Sequence, residues 1–249
     1  LFQVMRANTQ ALVRRRTDGL RLPRPHPVLL TAGLYLGQTA RVDQEVEYYE
    51  QLVDRTGAAL GPDHPATLDA RYQLGDSRGR IGDFTGAVRE LEATLSGQLE
   101  ALGPDHRDTL TTRKELWYYR GERGEAAIAA AGLERLVAVC VRALGPTDPL
   151  TLAARIDAAH WRTESGDAGG AVRALAQLLP ETVRTSGALS LGTAYVRHHL
   201  ARARGLAGDP ATAVRELTEL VDDMTQVIGQ SRFTVLIRTT HAHCHGRAG

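Results

Sequence analysis

The chain has 249 residues, of which 43% are apolar and 24% charged, the balance of a soluble protein with a sizeable core. Its formal net charge of +1 leaves no broad basic field for nucleic acid or an anionic membrane surface, so neither is an expected partner. Cys140 and Cys244 give no disulfide framework, which points to a reducing cytoplasm, and no apolar run reaches the roughly 18 residues of a membrane span.

Residues 1–25 read as an N-terminal helix, over about 2–17, followed by a Pro-rich connection. Residues 26–60 form a worn helical hairpin, with HPVLLTAGLYLG as first helix and VEYYEQLVDRTGAALG as second. LGPDHPATL, residues 60–68, then stops one helix and starts another. Gly61 suits the left-handed C′ position, Pro62 blocks continuation, Asp63 is placed to cap, and Pro65 fits a first helical turn. A helix over about 66–79 follows. Gly82-Asp83 turns the chain and caps a second helix over about 85–101, where Ala87, Val88, Leu91, Leu95 and Leu99 make one apolar stripe.

The joint returns as LGPDHRDTL at 102–110 and LGPTDPLTL at 144–152, each 42 residues on (102 − 60, 144 − 102). The same period carries Arg71, Arg113, Arg155 and Arg197, and Arg78, Arg120, Arg162 and Arg204. It also carries Ala87, Ala129, Ala171 and Ala213, and Leu91, Leu133, Leu175 and Leu217. Full repeats therefore occupy 61–102, 103–144, 145–186 and 187–228, and 229–249 is a C-terminal capping half-repeat. The fold expected is all-α: a right-handed superhelical solenoid of antiparallel hairpins, about twelve helices with no sheet. The alanines belong at close helix crossings. The arginines make a structural ladder, with acids such as Asp83 and Glu90 in reach.

The Gly-acid turn with alanine four residues after the acid, as in GDFTGA and GDPATA, resembles the tetratricopeptide repeat (TPR) pattern. The 42-residue unit, the long second helix and the LGPDHP joint are similar to the kinesin-light-chain-like branch of that family. The pattern TLxxRxxLxxxRGxxGD resembles TPR proteins of actinobacteria. The resemblance covers about residues 26–249. The family's small first-helix residue is met by Gly75, Ala159 and Ala201 but becomes Trp117 in one unit. The family's clamp for peptide carboxylates is met only by Lys114 and Arg202, so chaperone-tail binding is not implied.

Carrying the family's groove positions across gives an inner face of Asp69, Tyr72, Gln73 and Asp76, then Thr111, Lys114, Glu115 and Tyr118. The next two units offer Ile156, Asp157 and His160, then Tyr195, His198, His199 and Arg202. The resemblance thus implies peptide binding on a concave face by Tyr72, Asp76, Lys114, Tyr118, His160, Tyr195, His198 and Arg202. The rings supply area, Lys114 and Arg202 favour an extended, somewhat acidic segment, and His160 and His198 add pH sensitivity near neutrality.

No phosphate-binding loop, H-E-x-x-H or C-x-x-C occurs, and no enzyme activity or cofactor is expected. In HAHCH, His241 and His245 stand one helical turn apart and are a metal candidate, although a polar capping helix explains them too. The leading reading is a protein- or peptide-binding scaffold. The alternative is the sensor or regulatory arm of a larger actinobacterial kinase or NTPase regulator, since the chain starts at Leu1 and has half-units at both ends. A third is an enzyme or metal-binding protein.

Overall fold

The chain turns its corners on glycine. Nine glycines among the described residues have positive φ, from Gly61 (+99°) to Gly229 (+61°), at intervals of 21 residues (82 − 61). A Cβ at any of them would meet nothing within 4 Å, so the glycine is there for its dihedral angle and not for space.

The computed structural model describes residues 42–248. Between the corners run α1 (Val42–Leu60), α2 (Pro65–Arg80), α3 (Phe84–Ala101), α4 (Arg107–Glu122) and α5 (Ala126–Leu144). They continue as α6 (Pro149–Glu164), α7 (Ala168–Ser186), α8 (Leu191–Leu206), α9 (Pro210–Ile228) and α10 (Arg232–Ala248). That is ten helices and no strand among the described residues, where about twelve helices were expected; the helices expected before Val42 lie outside these residues. No described helix is long and apolar enough to cross a membrane.

The joint works differently from the sequence expectation in one respect. Asp63 is not the cap of α2; His64 is, its Nδ1 accepting from the Ala66 N–H at 3.1 Å. Pro65 occupies the first helical position, which fixes the cap one residue before it. His106 caps α4 in the same way, and Asp148 and Ser190 replace the histidine at α6 and α8. A buried threonine closes three of these joints: Thr67 donates to the Gly61 carbonyl (2.8 Å), Thr151 to Gly145 (2.8 Å) and Thr193 to Gly187 (2.7 Å), whereas the buried Thr109 makes no such bond to Gly103. Inside the hairpins, Asp83 caps α3 as expected and Asp167 and Asp209 cap α7 and α9 in the same way, but Glu125 makes no cap bond. His64→Ala should cost about 1 kcal/mol while His64→Asn keeps the cap. Urea midpoints equal for parent and both variants would show that the imidazole contributes nothing.

The structure divides between Arg123 and Gly124 into two compact units. In the first, α1 packs on α2, α2 on α3 and α4, and α3 on α4. Its core joins Tyr49, Leu52, Ala70 and Leu74, and then Ala87, Val88, Leu91, Leu116 and Tyr119. In the second, consecutive helices pack from α5 to α10, and α8 also lies against α6 and α10. Ala87, Ala129, Ala171 and Ala213 are all fully buried, each one turn from a buried leucine of the next column. The small side chain lets backbones approach, and the leucine fills the space beside it.

The arginine ladder is present. Arg78 bonds Glu50 at 2.7 Å and lies 3.5 Å from Asp83; two repeats on, Arg162 pairs with Glu134 (3.3 Å) and Asp167 (2.5 Å). Arg155 meets Glu181 at 3.0 Å, and Arg197 meets Asp223 at 2.6 Å, 42 residues later. Arg71 stands 3.9 Å from Glu90. Each pair is part-exposed and contributes about 1 kcal/mol at most. Their recurrence fixes how first helices sit between second helices.

Candidate peptide-binding surface

In the first unit α2 and α4 bring Tyr72, Asp76, Lys114 and Tyr118 together, all half-buried, with Asp69, Gln73, Thr111 and Glu115 around them. Their groups are already engaged. Asp76 accepts from the Tyr119 hydroxyl at 2.9 Å and lies 3.7 Å from Arg80. Lys114 pairs with Glu115 at 2.8 Å. Tyr72 and Tyr118 pack at the edge of the core, and the Tyr118 ring meets Tyr119 edge-on at 5.6 Å. Burial, reinforced by Glu115 and Asp76, raises the Tyr72 pKa and keeps its hydroxyl a donor. Tyr119 was missed by sequence reasoning, although WYYR offers three rings from which a core residue had to come.

In the second unit the first-helix residues converge across α6, α8 and α10. An Arg202 guanidinium nitrogen donates to His160 Nδ1 at 3.1 Å and lies 2.5 Å from Glu164. His160 is therefore neutral, with its proton on Nε2. The His199 ring lies 5.3 Å from that of His160 and 5.0 Å from that of His198. Tyr195, 40% exposed, packs on Phe233 of α10 at 4.3 Å. Asp157 is half-buried beside them.

Two expected groove residues are not on the surface. Ile156 is buried in the core, and His198 is only 2% exposed, with Nε2 at 2.9 Å from the Thr240 hydroxyl of α10. Both belong to the column that faces the neighbouring first helix, so packing covers them. The expected pH sensitivity near neutrality fails for the same reason. Burial, then the Arg202 charge, pushes His198 down to about 4 and lowers His160 as well.

The HAHCH segment does not gather. The His241 and His245 rings stand 6.2 Å apart, His241 bonds the Thr218 hydroxyl at 3.0 Å, and Cys244 is buried against Gly205. Among the described residues no group of three or more His, Cys, Asp or Glu could hold a metal ion.

Helical hairpins repeating every 42 residues, with glycine corners and an alanine at each crossing, have the tetratricopeptide-repeat fold. The family model for the tetratricopeptide repeat matches residues 29–66. No curated protein matches the chain. Two crystal structures of nearly identical TPR-like repeats of kinesin-light-chain type from Podosopora anserina are similar to it. One has a TM-score of 0.69 at 23% identity, covering 84% of this chain and 100% of that one. The other has a TM-score of 0.68 at 24% identity, covering 80% and 94%. A thermophilic TPR protein of Thermus thermophilus follows, with a TM-score of 0.56 at 16% identity, over 87% and 97%. At such identities the likeness is one of fold.

Proposed function

We propose that the chain is a protein- or peptide-binding scaffold that reads an extended segment on the face shared by α6, α8 and α10. The observation that carries this reading is the strip of Tyr195, His199, His160 and Arg202, part-exposed and continuous across successive first helices. TPR folds generally serve protein interaction, which supports the same conclusion. Tyr195, backed by Phe233, offers a rigid flat anchor, and neutral imidazoles offer N–H donors to a peptide backbone. Arg202 already has Glu164, so a ligand carboxylate takes the guanidinium by displacing that acid. The ligand therefore carries one acidic group beside an aromatic or aliphatic anchor, and the Lys114–Glu115 pair disfavours a strongly acidic segment in the first unit.

Changing Tyr195→Ala together with Arg202→Ala should weaken binding of a library-selected extended peptide at least about tenfold, or about 1.4 kcal/mol. The helical spectrum should be unchanged. Calorimetric titration in which the double variant binds as tightly as the parent would sink the proposal.

A further inference from the structure

Comparing the repeats position by position reveals a missing leucine. Leu74, Leu116 and Leu200 share one register (116 − 74 = 42, 200 − 116 = 84), and each is buried against the second helix that precedes it. Leu74 packs with Tyr49 and Leu52 of α1, Leu116 with Val88 and Leu91 of α3, and Leu200 with Leu175 and Leu178 of α7. Among the four full repeats the remaining member of the column is Ala158. There the second unit opens a cleft of about 570 Å³ between α5 and α7, floored by Ala158 and Ala159 of α6.

A second truncation widens the same cleft. Ala174 stands where two other repeats carry Glu90 and Glu216 and a third carries Gly132, and those acids reach across to Arg71 and Arg204. With alanine there, the wall facing Arg155 and Arg162 is cut back. The opening is within the range of ordinary ligand clefts, about 300–1,000 Å³. Its rim carries two ion pairs, Arg155 with Glu181 at 3.0 Å and Arg162 with Glu134 at 3.3 Å.

We infer that this cleft is a docking site for a partner protein, taking one leucine-sized aliphatic side chain flanked by an acid and a base. The other repeats show what fills this place: a leucine between a first helix and the preceding second helix. The rim sets the charge. Its two guanidinium and two carboxylate groups cancel, so a polyacidic segment meets Glu134 and Glu181, and a polybasic one meets Arg155 and Arg162. A mixed-charge segment exchanges partners with both pairs, which solvent exposure leaves weakly held.

The site is independent of the inner-face reading. Arg155, Ala158, Ala159 and Arg162 follow the i, i+3, i+4, i+7 spacing of one helix face, and Asp157 and His160 lie on another.

The test is to select displayed random peptides on the full chain and measure each by fluorescence polarisation against three variants. Selected peptides centred on leucine, isoleucine or methionine should bind Ala158→Leu and Ala174→Glu at least tenfold more weakly than the parent. They should bind the Tyr195→Ala, Arg202→Ala double variant normally. Ala158→Leu should melt no lower than the parent, because it restores the repeat's own residue. If that variant fails to fold, Ala174→Glu, at an exposed position, decides the matter. Peptides indifferent to both cleft variants, peptides lost only with Tyr195 and Arg202, or a selection without aliphatic centres would each overturn the inference.

Discussion

Acidification from pH 7.5 to 5 should remove about 2 kcal/mol of stability through His198 alone. The folded chain holds this imidazole at about 4, and the unfolded chain releases it toward its ordinary 6.5. Between those values the unfolded state binds the extra proton. The contribution is therefore complete above 6.5 and is lost as pH falls toward 4. Its cause is burial first, then the positive Arg202 and the adjoining His160. His160 and His199 are lowered too and act with the same sign. Glu45, raised by burial, acts oppositely in the first unit, while Asp167, lowered by its Arg162 bond and then its cap bond to Gly170, and Asp209, lowered by its bonds to Thr212, lose their contribution only below about 3.8. His198→Ile isolates the effect. Isoleucine is what the same column carries at Ile156, and Thr240 keeps its bond to the Leu236 carbonyl when the imidazole goes. Urea midpoints taken across this range should fall steeply for the parent and much less for the variant. Equal slopes would place the titration elsewhere.

What could be read from the sequence was local or periodic. Glycine corners, the alanine and leucine columns and the helix limits near 66–79 and 85–101 emerged because backbone permissiveness and spacing act within one repeat. The threonine column at 67, 109, 151 and 193 has the same period and is equally visible; its role is not, because the bonds of Thr67, Thr151 and Thr193 run back to a glycine carbonyl six residues earlier. Asp63 reads as a cap in the sequence because two polar residues precede Pro65, and only the proline decides between them in favour of His64. The candidate surface was less legible. Whether a groove column is wet depends on how tightly neighbouring first helices stack, and α8 and α10 close over His198. A cleft made by Ala158 emerges only when one repeat is laid on another and the side chains around it are known.

Gly79→Ala should destabilise the first unit by about 1–3 kcal/mol through overpacking. The sign is the informative part, since glycine to alanine inside a helix ordinarily gains about 1 kcal/mol. A Cβ at Gly79 would stand 2.1 Å from Cε1 and 2.2 Å from Cζ of Tyr119. The ring has little room to retreat. Its hydroxyl is tied to Asp76, Tyr118 meets it edge-on, and Phe84 stacks on it at 6.4 Å. The repeat offers its own comparison in the second unit, where a Cβ at Gly205 would meet the Cys244 sulfur at 2.9 Å. One atom at that distance yields more easily than a ring, so Gly205→Ala should cost less. Combining Gly79→Ala with Tyr119→Ala should abolish the clash, so that alanine at 79 becomes favourable in that background. Urea denaturation of the four proteins in this cycle measures the coupling. If Gly79→Ala raised the midpoint in the parent, the Tyr119 ring would have to lie outside the notch, and the register of α2 against α4 would be wrong.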